Sequence, residues 1–378
     1  MKSQRWLVGV FIILILAFSL YSYTQVDLNL TLSSHPLYQN IQKQLTYIGY
    51  FNRPLSGTLF LGLIFALFIF YVNLLKTILQ NKFRVGTLKA CIGITFLLVF
   101  AYPAFSHDLF NYMFDARVVT VYGLDPHFFK ALDFPLDQWT RFMRWTHRYY
   151  PYGPGWLWLT LLPSYLGMGK FVLTLGLYKL MFLLFHLGNI WFIGQLAGKE
   201  RKWGAVVFFA LNPLVLTESL VSPHNEVVML FFALLAIYLF FRNRAVGAVL
   251  SLLASVGIKY ISGVLFPLFW LIKPQTKRFF IWVFWAWTIA LIPLVITREP
   301  YSWYAVPLVG IAALTQSKFI KILTVSISLG LMLRYLPFLW WGEYTLTTQT
   351  WQIWVLFVGT LISWFTLLHL WPISEVGN

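Results

Sequence analysis

Long apolar runs separated by short polar clusters dominate the chain, at residues 6 to 23, 55 to 79, 88 to 105, 171 to 197, 203 to 221, 225 to 241, 279 to 297, 303 to 317, 320 to 340 and 351 to 371. A helix needs about 20 apolar residues to cross a bilayer, so the pattern predicts about ten spans in one integral domain covering residues 1–378. The first run follows Lys2 and Arg5 and exceeds the roughly 7–15 residues of a signal-peptide core, which predicts a retained span with its N-terminus cytoplasmic. Two segments fit no complete crossing. Pro154 to Met168 is too short, and Ala245 to Ile272 is long for one crossing and short for two. They are expected to be re-entrant: a half-helix starting at Pro154, and a hairpin turning near Gly257, Lys259 and Tyr260. Irregular backbone at membrane depth is tolerated only against protein or a water-filled cavity, so both segments point toward a site.

Between the apolar runs, residues Ser106 to Tyr152 are too many for a plain connection and predict a structured extracytoplasmic loop. Its pattern suggests a helix from Leu109 to Val121 and a second from Asp137 to Arg148. On the second, Arg141, Arg144 and Arg148 would share one face, as in a helix lying in the membrane interface.

Composition sharpens this picture. Of the 378 residues, 59% are hydrophobic, 20% aromatic and only 11% charged, which excludes a soluble globular protein. The net charge is +16, from 28 Lys and Arg against 12 Asp and Glu. In a chain this apolar the excess speaks for the positive-inside bias rather than for nucleic acid. Clusters at Lys76, Lys82, Arg84 and Lys89, at Lys199, Arg201 and Lys202, at Arg242 and Arg244, at Lys273, Lys277 and Arg278, and at Lys318 and Lys321 would all fall on the cytoplasmic side. The single cysteine, Cys91, lies in an apolar run and offers neither a disulfide nor a thiolate metal site.

Chemistry-bearing residues gather where the spans meet the predicted outer side. In Ser106-His107-Asp108-Leu109-Phe110-Asn111-Tyr112-Met113-Phe114-Asp115-Ala116-Arg117, the carboxylates Asp108 and Asp115 are seven residues apart and project from nearly one helical face, with Arg117 beside them. Either Asp108 acts as a general base toward a hydroxyl, or it caps the helix while Asp115 pairs with Arg117 or another loop cation. Asn212-Pro213, then Glu218, then Ser222-Pro223-His224-Asn225-Glu226 forms a second group. Its His224 and Glu226 offer a base or donors to sugar hydroxyls, or else Ser222 and Pro223 simply start a helix. Glu218 sits inside a span, where an ionisable residue is a functional candidate by default. Lys259 stands alone at the hairpin tip and calls for an anion. Tyr149-Tyr150-Pro151-Tyr152-Gly153-Pro154 and Arg298-Glu299-Pro300-Tyr301-Ser302-Trp303-Tyr304 add aromatic and cationic groups at the same level; an interfacial aromatic belt accounts for these equally well. His107, His127 and His224 lack any metal-binding spacing, so no metal and no cofactor are expected.

The ordered set from His107-Asp108-Leu109-Phe110-Asn111-Tyr112, through Tyr122-Gly123-Leu124-Asp125-Pro126 and Tyr150-Pro151-Tyr152-Gly153-Pro154, to Asn212-Pro213, His224-Asn225-Glu226, Lys259-Tyr260 and Trp303-Tyr304 resembles the GT-C glycosyltransferases. Within these it is closest to the bacterial polyprenol-phosphate-mannose-dependent mannosyltransferases. The resemblance implies an all-α polytopic membrane enzyme that moves a hexose, mannose first, from a polyprenyl-phosphate donor to a lipid-linked or glycan acceptor. It implies Asp108 as catalytic base and a metal-independent inverting displacement on the extracytoplasmic side of the cell membrane. It further implies substrate contacts from His107, Tyr112, Asp115, Arg117, Tyr152, Glu218, His224, Asn225, Glu226, Lys259, Tyr260, Arg298 and Trp303, with the Arg141, Arg144 and Arg148 face drawing anionic membrane lipid inward. A transporter or flippase of lipid-linked saccharides is the alternative, though no repeated halves are evident in the sequence.

Overall fold

A computed structural model describes residues 5–272 and 278–371; Lys2, Lys273 and Lys277 of the basic clusters lie outside them. Among the described residues the chain is helical without strands. Its α-helices run α1 Arg5–Ser22, α2 Pro36–Thr46, α3 Arg53–Leu79, α4 Val85–Thr95, α5 Asp108–Thr120, α6 Pro154–Leu166, α7 Phe171–Leu196, α8 Lys202–Ala210, α9 Pro213–Leu216, α10 Glu226–Phe241, α11 Ala245–Ile258, α12 Leu265–Leu271, α13 Phe279–Thr297, α14 Ala305–Leu314, α15 Lys318–Leu333, α16 Leu336–Trp341 and α17 Leu346–Leu370.

Six helices among the described residues are long and apolar enough to cross a membrane, or seven if the bent pair Lys202–Ala210 and Pro213–Val221 counts as one span. The architecture is that of a multi-pass membrane protein, with fewer full-length spans than the ten apolar runs predict. Several runs end early for visible reasons. Helix α4 tightens into a 3-10 turn at Phe96–Phe100 and stops before Pro103. Helix α10 starts only at Glu226 and has 16 residues, about 24 Å at 1.5 Å per residue, against a hydrocarbon core of about 30 Å. The bent pair turns by 57° where Asn212, its side chain accepting from the Leu214 N–H, caps a new helix with Pro213 in its first position.

The second interfacial helix expected at Asp137–Arg148 does not form. Asp137 caps only a short 3-10 turn, Gln138–Phe142, and Met143 is extended at φ −87° and ψ 149°. The competing demand is burial: Phe142 packs against Phe110 and Phe171, and Trp139 meets Phe171 edge-on. A straight helix carrying its arginines on one face would give up these contacts. Arg141 and Arg144 consequently stay at the surface.

The hairpin at 245–272 does form. Helix α11 runs antiparallel to α10, with Ser255 bonded to the Met229 carbonyl at 2.8 Å. The chain breaks at an extended Lys259, passes a 3-10 turn at Tyr260–Val264, and returns through α12. Phe269 stacks on Phe240 at 4.4 Å, so α12 comes back to the end at which α11 began. The start of α6 meets this hairpin backbone to backbone: a Cβ on Gly153 would lie 2.1 Å from the Gly257 carbonyl oxygen. Only glycine fits there. Another irregular stretch, the π-turn Thr217–Val221, is held by the buried Lys179 side chain of α7, whose Nζ donates to the Leu220 and Val221 carbonyls. Those are the carbonyls that a span ending in mid-protein leaves without helical partners.

Gly153→Ala should therefore lower the thermal unfolding midpoint, at a cost on the order of 1–3 kcal/mol for a forced overlap. Gly62→Ala, whose added methyl meets nothing within 4 Å, is the matched control. Equal midpoints for the two variants in detergent would show that the Gly153–Gly257 contact is not limiting.

Candidate active site

The second group of sequence elements meets the first around a cavity of about 880 Å3. Asp108 at the start of α5, Tyr152 and Gly153 before α6, Glu226 at the start of α10, Lys259 and Tyr260 at the hairpin tip, and Arg298, Trp303 and Tyr304 after α13 all line it. The rest of its wall is apolar, from Met229, Ile258, Ile261, Val264, Trp287, Leu291 and Leu294. One cavity thus offers a polar end and a long apolar side, as an amphiphile requires.

Asp108 occupies the first turn of α5, where the helix dipole favours an anion. Its own N–H donates to Ser106 Oγ at 3.2 Å, leaving the carboxylate to the cavity. Behind it lies His224, fully buried, with Nε2 at 3.0 Å from Ser106 Oγ and 4.0 Å from Asp108 Oδ2. On its other side Nδ1 stands 2.9 Å from Glu218 Oε2, also fully buried. Burial opposes protonation of this imidazole, but the Glu218 carboxylate, aided by Asp108 and Glu226, raises its pKa overall. The ring is stacked on Trp303 at 4.0 Å, and Trp303 on Tyr301 at 4.4 Å. Ser222, which local patterning makes a possible helix cap, instead accepts the Phe105 N–H at 3.0 Å and pins the approach to Asp108.

Elsewhere in the lining Lys259 pairs with Glu226 and lies 5.4 Å from the Tyr304 ring centroid. The second Glu226 oxygen is buried with no hydrogen-bond partner. Arg298 is exposed to the cavity, and Arg148 reaches it while donating to Tyr152 Oη at 3.1 Å. Tyr152 packs edge-on against Tyr112, itself buried against Trp156. Among the described residues no group of three or more His, Cys, Asp and Glu side chains could hold a metal ion.

Not every residue suggested by the sequence reaches the cavity. His224, Glu218, Asn225 and Tyr112 are buried one layer behind it. His107 packs beside Phe110, and burial together with Arg144 pushes its pKa down to about 4, so it is neutral. Arg117 turns away to bind Asp137 at 2.6 Å and to cover Trp139. Although burial works against it, the Asp137 carboxyl is held below its usual range by Arg117, Tyr122 and the Trp139 N–H. Arg148, expected to guide lipid, lines the cavity instead, together with Trp145 and His147. The sequence reading passed over Arg334 and Tyr335, which support the site from α15; a cation inside an apolar run was the available signal.

Asp115 lies two turns along α5 from Asp108. Burial pushes its carboxyl up to about 7, with Arg148 opposing and Asp108 adding. A carboxyl whose folded pKa is raised contributes stability that is complete below about pH 4 and lost as pH climbs through about 7. Asp115→Asn lacks that loss. Its unfolding midpoint should exceed that of the unmodified protein at pH 8 by on the order of 2 °C more than at pH 5; thermal unfolding at the two pH values decides this, and a constant difference would contradict it.

Comparison with known proteins gives one consistent answer. Residues 7–275 match the family model described as alpha-(1->6)-mannopyranosyltransferase, N-terminal domain. Alpha-(1->6)-mannopyranosyltransferase A of Mycobacterium tuberculosis is 24% identical over 238 residues, covering 61% of this chain and 45% of that protein. The chain thus spans about half the length of the curated relative it matches. No solved structure matches. With a family model covering most of its length, and with Asp108, His224, Glu226 and Lys259 all inside the matched region, the chain belongs to the alpha-(1->6)-mannopyranosyltransferase family.

Proposed function

We propose that the protein is a GT-C-type membrane glycosyltransferase that moves a mannosyl unit from a polyprenyl-phosphate donor to a lipid-linked or glycan acceptor on the extracytoplasmic side. The observation that carries this reading is the sharing of one half-apolar cavity by Asp108, Lys259 and Arg298. A polyprenyl-phosphate sugar has an apolar tail, an anionic phosphate at the headgroup boundary and a sugar beyond it. The wall formed by Ile258, Ile261, Val264, Trp287 and Leu291 suits the tail. Arg298, Arg148 and Lys259 supply cations for the phosphate.

In the step itself Asp108 takes the proton of the acceptor hydroxyl as that oxygen bonds to the anomeric carbon. The bond from this carbon to the phosphate oxygen breaks on the opposite face, and its electron pair leaves with the phosphate. A single displacement inverts the anomeric centre and uses no enzyme nucleophile. Phosphate departs as a stabilised anion, so a second carboxyl acting as general acid, as in glycosidases, is unnecessary. The free oxygen of Glu226 is available to accept a sugar hydroxyl. The family's name supports mannose as the sugar and an alpha-(1->6) bond as the product.

Purified protein supplied with a polyprenyl-phosphate mannose and a mannoside acceptor should form the disaccharide product. Asp108→Asn should cut kcat by at least about 100-fold, the scale of general-base loss; near-normal turnover by the folded variant would sink the assignment. The charge of Arg298 is not engaged in an ion pair with a described residue. Arg298→Gln should accordingly raise the donor KM by about tenfold with a smaller change in kcat, and an unchanged donor KM would remove Arg298 from the phosphate site.

A further inference from the structure

Two consecutive residues after α15 reach toward Asp108 by separate routes. Tyr335 donates its hydroxyl proton to Glu218 Oε1 at 2.8 Å. Since that hydroxyl has one proton, Ser302, 2.5 Å away, must donate to the Tyr335 oxygen. Glu218 then presents its other oxygen to His224 Nδ1 at 2.9 Å, while His224 Nε2 faces Ser106 and Asp108. Arg334, buried, pairs with Glu299 and lies 5.4 Å over the Tyr301 ring. Tyr301 is the outer member of the stack that continues through Trp303 onto the face of His224. Glu299 also accepts from Tyr344 at 2.7 Å. The imidazole is gripped at its edge through Tyr335 and at its face through Arg334. Tyr335 packs in addition on Phe105, next to Ser106.

We propose that Tyr335 is a positioning residue for the proton acceptor Asp108, acting through Glu218 and His224; this rests on the glycosyl-transfer reading above. The gap of 4.0 Å between His224 and Asp108 is too long for a hydrogen bond. Orientation reaches Asp108 through the shared Ser106 hydroxyl, which contacts His224 Nε2 and accepts the Asp108 N–H. Arg334 and Tyr301 back the ring's face through Trp303, and Glu218 holds its edge. The hydroxyl of Tyr335 is the one group in this line that also joins the loop carrying Trp303, through Ser302. Both constraints on the ring therefore pass through the α15 end.

The test is a double-mutant cycle on the full chain in detergent, with polyprenyl-phosphate mannose as donor. Tyr335→Phe should lower kcat about tenfold with the donor KM unchanged, because it displaces the acceptor of the proton and leaves the phosphate cations in place. In the His224→Ala background the same change should cost less than about twofold, since the link it acts through is already gone. A merely structural tyrosine would lower activity by equal factors in both backgrounds, and that result overturns the proposal. Gel filtration and thermal unfolding report the folded fraction of each variant; if Tyr335→Phe does not fold, Glu218→Gln interrupts the same line and takes its place in the cycle. If the unmodified protein transfers no sugar while remaining folded, the activity reading itself fails and takes the positioning role with it. An active unmodified protein with an additive cycle fails the positioning role alone.

Discussion

The buried carboxylate of Glu226 must meet an opposite charge, and its pairing with Lys259, which is itself partly exposed to the cavity, is the contact on which the wall around that cavity depends. The ammonium sits at a break between two short helices that has no reason to stay at depth except this carboxylate. Glu226 in turn fixes where α10 begins, and the residues just before it, His224 and Asn225, are thereby held in the layer behind Asp108. Lys179 supports the π-turn carrying Glu218 in a different way, by donating to the Leu220 and Val221 carbonyls. Two lysines and two glutamates thus hold in place the backbone that would otherwise be too irregular to persist in an apolar surround.

Much of this was legible from residue order because the relevant signals are local. A lone lysine in an apolar hairpin, an aspartate opening a helix, and a histidine beside a glutamate each stand out against apolar neighbours. The charge pairing of the loop was not legible. Arg117 is nearer in sequence to Asp115 and Asp108 than to Asp137, yet it chooses Asp137, which adds the Tyr122 hydroxyl and the Trp139 ring to its contacts. Sequence spacing holds no information about that third dimension. The interfacial helix failed for the related reason that periodicity counts which side chains share a face and not which of them, here Phe142 and Trp139, find a better partner elsewhere.

The ten apolar runs correspond to six or seven helices of full spanning length among the described residues, because a run's hydrophobicity does not set its helix's length. Runs near 225–241 and 303–317 are apolar because they are packed inside the protein, where buried helices such as α10 and α14 need no full membrane thickness. Helix α17, by contrast, has only 11% of its most apolar window buried inside the protein. All three are read as apolar runs in the sequence, and tertiary context is what separates a helix covered by other helices from one left for lipid. Arg334 and Tyr335 escaped notice in the same way: they sit within a run dominated by leucine, and their partners Glu299 and Glu218 are distant in sequence.

The contact between Gly153 and Gly257 gives the cavity a mechanical asymmetry. The α6 start, the hairpin tip and the α10 start are joined by bare backbone and by an ion pair, a jaw with no slack for a methyl group. Helix α13 lines the same cavity through Trp287, Leu291 and Leu294, with about a third of its most apolar window buried inside the protein, and ends in an exposed Arg298. Whatever fills the cavity must be accommodated without parting Gly153 from Gly257, because at that contact there is no side chain that could yield.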